Sequence, residues 1–177
     1  MNEQSESEAL IFARIAHEGQ RRKYKDEPYI EHPKRVAEIV KTVPHTPEMI
    51  SAAYLHDVVE DTPVTLGDIE GKFGSTVASL VEELTDEFIK EKYPHLNRKL
   101  RKQKETARQA KISDSAKTIK LADIIDNTPD IAKNDPDFAK RYIPEMAALA
   151  KALKGGDSTL FARAQDVVKN AEKSRKI

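Results

Sequence analysis

Apolar residues recur along this chain at helical spacing and almost nowhere in strict alternation. Leu10, Ile11, Phe12, Ile15 and Ala16 form a stripe that predicts a first helix from Ser7 to Glu18, ended by Gly19. A polar loop, Gln20 to Ile30, follows and carries Arg21, Arg22, Lys23 and Lys25. The second helix is predicted from His32-Pro33, where proline suits a first turn, to Thr42. A third runs from Pro47 to about Val59 and is closed by Thr62-Pro63. Leu66 to Phe73 is a short helix stopped by Gly74, and Thr76 to Leu84 another. Asp86 to Asn97 is a charged, irregular connector. After it come a basic helix, Arg98 to Lys111, and a helix from Ser115 to Asn127 with Asp114 as its N-cap. Asp135 caps a long helix to Lys154, bent at Pro144, and Asp157 or Ser158 opens a last helix to Lys173. The strongest hairpin dipeptides, Asn-Gly and Asp-Gly, are missing. The expected fold is all-α, a single compact multi-helix domain over residues 1–177.

At 177 residues the chain suits one full-sized core. Hydrophobic residues make up 38% and charged residues 34%, the balance of a globule rather than a disordered chain. Thirty basic and 30 acidic residues cancel, which argues against a dedicated duplex-DNA binder. With no cysteine, any transition metal must be held by histidines and carboxylates. The apolar runs are far short of a membrane span and the polar, acidic N-terminus is no secretory signal, so the expected location is the cytoplasm.

The densest chemistry lies in Ala53 to Thr62, which contains His56-Asp57 and then Glu60-Asp61. A neutral imidazole and a carboxylate are both competent ligands for a divalent cation. On a continuous helix, residues four apart share a face, which puts Glu60 near His56 and Asp61 near Asp57. A His-Asp pair alone reads as an ordinary solvated helix end. Four ionisable groups among Leu55, Val58 and Val59 favour a site. His32 precedes a helix, and Asp123 stands among Leu121, Ala122, Ile124 and Ile125, where a charge is costly unless paired or metal-bound. Lys120 is Asp123's simplest ion-pair partner, and Asn127 shares its face. Together His32, His56, Asp57 and Asp123 make a nitrogen-and-oxygen set suited to Mn²⁺, Fe²⁺ or Zn²⁺. Arg22 and Lys23 in the loop, and Lys117 and Lys120 before Asp123, are candidate phosphate contacts. The basic cluster Arg98 to Arg108 reads first as a solvated helix face.

Three stretches carry a resemblance. They are Ala16-His17-Glu18-Gly19-Gln20-Arg21-Arg22-Lys23, then Pro28-Tyr29-Ile30-Glu31-His32-Pro33, then Ala53 through Thr62; the pattern continues with Val64 through Ile69 and Phe73-Gly74 and ends at Lys120-Leu121-Ala122-Asp123 with Asn127. The chain resembles the HD-type hydrolase domain of RelA/SpoT-like alarmone enzymes and their stand-alone small relatives, over roughly residues 9 to 130. The resemblance implies that His32, His56, Asp57 and Asp123 hold Mn²⁺, that Glu60 and Asp61 position or deprotonate the attacking water, and that Arg22 and Lys23 contact the nucleotide. The implied reaction removes the 3′-pyrophosphate of guanosine 3′,5′-bis(diphosphate) or its pentaphosphate form. The implied partners are that phosphorylated guanine nucleotide and a second copy in a homodimer, with no membrane and no nucleic acid. The chain departs from the family by carrying Ile124 where a basic residue is common. That departure leaves two other readings open: a phosphatase on another nucleotide such as NADPH, or a non-catalytic nucleotide sensor. An RNA-binding module rests only on the basic helix.

Overall fold

The computed structural model describes residues 3–174, and among these the chain forms ten α-helices and no strand. The fold is therefore all-α. Its helices fall into two compact units that divide in sequence between Thr85 and Asp86.

The first unit holds α1 (Glu3–Ala16), α2 (Glu31–Val40), α3 (Pro47–Leu55), α4 (Val58–Asp61), α5 (Leu66–Phe73) and α6 (Ser75–Leu84). Its hub is α3, which packs on α1, α2 and α6. Every residue from Met49 to Leu55 is buried, so this helix is enclosed on all sides. Pro47 sits at its start, and the Thr46 hydroxyl caps it by accepting from Met49 N at 3.3 Å. In α1 the buried face is Ala9 and Ala13, continued beyond the helix end by His17, while Ile11 and Ile15 of the expected stripe are exposed. The small residues face inward, and the helix packs on α3 through them. The α5 helix has the predicted bounds because Thr65 and Asp68 form a capping box and Gly74, at φ 85°, ends it.

The predicted third helix does not run unbroken to Val59. It ends at Leu55, and His56-Asp57 turns the chain before α4 begins. Asp57 has φ −98° and ψ −6°, in the bridge region where many site residues sit. Glu60 and Asp61 stand on this separate short turn, but Asp61 N still donates to the Asp57 carbonyl at 3.0 Å, so Asp61 keeps its expected place one turn after Asp57.

The second unit holds α7 (Arg98–Gln109), α8 (Asp114–Asn134), α9 (Pro136–Ala152) and α10 (Ser158–Ser174). Here α8 packs on α9 and α10, and α7 packs on α9. Ser113, not Asp114, is the N-cap of α8, its hydroxyl accepting from Ala116 N at 3.2 Å. Nor does α8 stop at Asn127, because it runs through Pro129 to Asn134. An interior proline costs about 3 kcal/mol, and burial of α8 against α9 and α10 offsets it. Asp135 caps α9 through Phe138 N as predicted, and of the two candidates for α10 it is Asp157 that caps, through Thr159 N and Leu160 N. Gly156 is wedged against α8: a Cβ there would lie 3.0 Å from Thr118 N and 3.1 Å from the Lys117 carbonyl carbon.

Candidate metal centre

The loop between α1 and α2 folds back on itself. Tyr29 N donates to the Gln20 carbonyl at 3.0 Å and Arg22 N to the Glu27 carbonyl at 3.1 Å. This closure delivers Tyr29 just ahead of α2, whose first turn holds His32 with 1% of its surface exposed. From the other side, the break after α3 presents His56, 2% exposed, and Asp57. One ligand atom each from His32, His56 and Asp57 lies within 4.8 Å of the others. Asp57 Oδ2 stands 3.1 Å from His56 Nε2 and 3.6 Å from His32 Nε2.

The tautomer of His56 follows from its neighbour. Its Nδ1 is 2.8 Å from the Ala53 carbonyl, which can only accept, so Nδ1 carries the proton and Nε2 presents its lone pair toward Asp57. A backbone carbonyl behind a ligand histidine is the usual way such a ring is oriented. Two imidazole nitrogens and a carboxylate oxygen converging in a buried corner form a donor set that fits a divalent transition metal.

Three residues of the matching stretches, none of them counted among the site residues, complete this corner. Tyr29 Oη donates to Asp57 Oδ2 at 2.7 Å and also hydrogen-bonds the Asp61 side chain. Its ring stacks on His17, centroids 4.7 Å apart. His17 Nδ1 donates to Gln20 Oε1 at 2.9 Å, and Gln20 Nε2 donates to the Asp61 carbonyl at 2.9 Å. Gln20 therefore pins the end of α4 to the end of α1. The available signal was the spacing of His17 and Gln20 at a helix end, with an aromatic three residues before His32.

Desolvation and the negative charge of Asp57 push the Asp61 carboxyl above its ordinary range, against the pull of Tyr29, His17 and His56. Glu60 and Asp61, on the same short turn, are both exposed at the surface. The Arg22 guanidinium lies 5.8 Å from the centre of the Tyr29 ring, and Lys23 is exposed with its ammonium 4.9 Å from the Tyr24 ring.

The remaining predicted residues belong to the second unit. Asp123, 9% exposed, accepts from Asn127 Nδ2 at 2.6 Å and is ion-paired to Lys120 at 3.0 Å. All three line a cavity of about 150 Å³ together with Asp86, Lys102 and Tyr142. Ile124 is 1% exposed and does not line this cavity, so here the departure at position 124 is a core residue. The basic helix is largely spent on structure. Arg98 forks onto Glu145 at 2.9 and 2.7 Å, Lys102 pairs with Asp86 at 2.7 Å, Arg108 with Glu105 at 2.6 Å, and Arg101 donates to the Leu96 carbonyl. Of the other histidines, His45 hydrogen-bonds the Val43 carbonyl and His95 lies near the Tyr93 ring. Among the described residues no helix is long and apolar enough to cross a membrane.

Comparison with known proteins places this geometry in context. A family model described as HD domain matches residues 9–149. The human guanosine-3′,5′-bis(diphosphate) 3′-pyrophosphohydrolase MESH1 is 38% identical over 161 residues, covering 86% of this chain and 87% of that protein. Its Drosophila melanogaster counterpart is 39% identical over 132 residues, covering 73% and 70%. The bifunctional (p)ppGpp synthase/hydrolase SpoT of Escherichia coli is 52% identical over 75 residues, 42% of this chain and 10% of SpoT. A solved structure of a metazoan SpoT orthologue that hydrolyses ppGpp superposes with TM-score 0.83 at 32% identity, covering 96% of this chain and 97% of that one.

Proposed function

The chain belongs to the HD-domain family, and on that premise we propose that it hydrolyses guanosine 3′,5′-bis(diphosphate) to release its 3′-pyrophosphate. The observation that carries the proposal is the convergence of His32, His56 and Asp57 within 4.8 Å, backed by a carboxylate, Asp61, whose proton affinity is raised.

His32, His56 and Asp57 hold a divalent cation, Mn²⁺ in this proposal, with Asp123 as the fourth donor. The match to the family model over residues 9–149 runs through both units and supports their acting as one catalytic domain. When bound, such a cation polarises a phosphoryl oxygen and makes a nearby water a stronger nucleophile. Asp61, assisted by Glu60, accepts the proton of the attacking water. The new P–OH bond replaces the bond from phosphorus to the ribose O3′, and O3′ leaves with a proton. Tyr29 holds Asp57 and Asp61 in one register. Arg22, Lys23, Lys120 and Asn127 take the charge and polar groups of the nucleotide.

Purified protein supplied with Mn²⁺ should release pyrophosphate from the bis(diphosphate), and His56→Ala should abolish release. A nucleotide panel that includes NADPH, scored for phosphate against pyrophosphate, separates the readings. Turnover of NADPH to phosphate with the bis(diphosphate) left intact would refute the proposed substrate.

A further inference from the structure

The basic helix α7 and the connector before it remain unexplained by the metal centre, yet they converge on a single carboxylate. Asp86 opens the connector, and α7 grips it from several directions. Its Oδ2 pairs with Lys102 Nζ at 2.7 Å and its Oδ1 accepts from Gln109 Nε2 at 3.1 Å. Immediately after it, the backbone N–H groups of Glu87 and Phe88 both donate to Glu105 Oε2, at 3.0 and 2.9 Å. Glu105 is itself only 4% exposed and is held by Arg108 and Gln109. A carboxylate fixed this firmly, with its side chain 17% exposed, costs desolvation energy unless its charge is used.

Its use lies across the 150 Å³ cavity that it shares with Lys120, Asp123 and Asn127. Burial alone would raise the Asp86 carboxyl, but Lys120 foremost, then Lys102 and Arg108, outweigh it and hold the group below its ordinary range. Lys120 lines this cavity together with both carboxylates, and is in contact with Asp123 at 3.0 Å. An ammonium touching a ligand carboxylate opposes a divalent cation on that carboxylate, because like charges repel. A carboxylate has about four lone-pair sites, so Asp123 can serve Asn127, Lys120 and a cation together, provided the lysine's charge is balanced from behind.

We propose that Asp86 is a positioning residue for the metal centre: it holds Lys120 and offsets its charge, so that Asp123 can bind the cation while still paired to that lysine. The proposal rests on the reading of Asp123 as the fourth donor. The Lys/Arg richness of α7 then has a purpose, since Lys102 and Arg108 anchor the Asp86 segment rather than meeting substrate.

The test is a charge cycle read by calorimetric titration of the metal-free full-length protein with Mn²⁺, which needs no turnover. Asp86→Asn leaves Lys120 unbalanced and should weaken Mn²⁺ binding about tenfold, the lower end of what losing a supporting partner costs. Lys120→Met removes the opposing charge and should tighten it. The double variant restores the balance and should return to within a few fold of wild type. Glu105→Gln loosens the same connector while leaving the Asp86 carboxylate in place. It should lower the melting temperature while leaving Mn²⁺ affinity within a few fold. Wild-type affinity in Asp86→Asn, or no recovery in the double variant, overturns the role of Asp86 and leaves the metal centre standing. Should Asp86→Asn fail to fold, Lys120→Met alone decides, and unchanged or weaker Mn²⁺ binding overturns the proposal. Wild-type protein that takes up no divalent cation overturns the metal reading and this inference together.

Discussion

Replacing Tyr29 by phenylalanine isolates one hydroxyl. The ring that stacks on His17 at 4.7 Å and lies under Arg22 at 5.8 Å stays in place. What goes is the donor to Asp57 Oδ2 at 2.7 Å, which also bonds the Asp61 side chain. A hydrogen bond to a charged group contributes about 1.5–3 kcal/mol, which at 1.36 kcal/mol per decade is roughly ten- to 150-fold. The cation takes over part of the stabilisation of Asp57, so the lower end applies, about tenfold in Mn²⁺ affinity, with a comparable loss in kcat because Asp61 loses its register. Calorimetric titration with Mn²⁺ and pyrophosphate release measure the two quantities on one preparation. The melting temperature of the metal-free protein controls for folding. If Tyr29→Phe binds Mn²⁺ and turns over like wild type, the hydroxyl does not organise the site and the assignment of Tyr29 is wrong.

Three further outcomes follow from the same geometry. Asp61→Asn should lower kcat by about 10²–10⁴ while Mn²⁺ affinity stays within a few fold; an equal loss of metal binding would make Asp61 a ligand instead. Gly156→Ala should destabilise the fold by about 1–3 kcal/mol, seen as a lower urea midpoint, because the added Cβ meets backbone atoms of Lys117 and Thr118 at 3.0–3.1 Å; an unmoved midpoint would contradict this packing. The third concerns acid stability. Asp86 is held below its ordinary 3.8, so its stabilisation is present above that value and is lost as pH falls through the lower folded value. The unfolding free-energy gap between wild type and Asp86→Asn should therefore be constant above about pH 5 and shrink below it. A gap that widens on acidification would reverse the sign and refute the assignment.

The sequence disclosed the helical class and the chemically dense positions because both are local signals. Thr65 and Gly74 bracket α5, and Asp135 and Asp157 open α9 and α10, through side chains that meet their own backbone within a few residues. His56-Asp57 is conspicuous for the same reason, as four ionisable groups crowd an apolar run. What stayed hidden is set by packing. The inward face of α1 is made of alanines that permit close approach to α3, so the more hydrophobic Ile11 and Ile15 misled the pattern. The break between Leu55 and Val58 carries no glycine or proline, and only the fold reveals it. Pro129 signalled an end that burial of α8 overrides. Tyr29, His17 and Gln20 stand in the matching stretches, but their bonds stayed hidden because key partners lie across the unit: Gln20 meets Asp61 over 41 residues of chain. The Asp86 network is hidden likewise, its pairs with Lys102 and Gln109 spanning 16 and 23 residues.

One measurement reaches the centre of the account. Crystals soaked in Mn²⁺ and measured at an energy where manganese scatters anomalously should give a single strong peak, within coordinating distance of His32 Nε2, His56 Nε2, Asp57 Oδ2 and a carboxylate oxygen of Asp123. A peak elsewhere, or one that His32 or Asp123 does not reach, would contradict it.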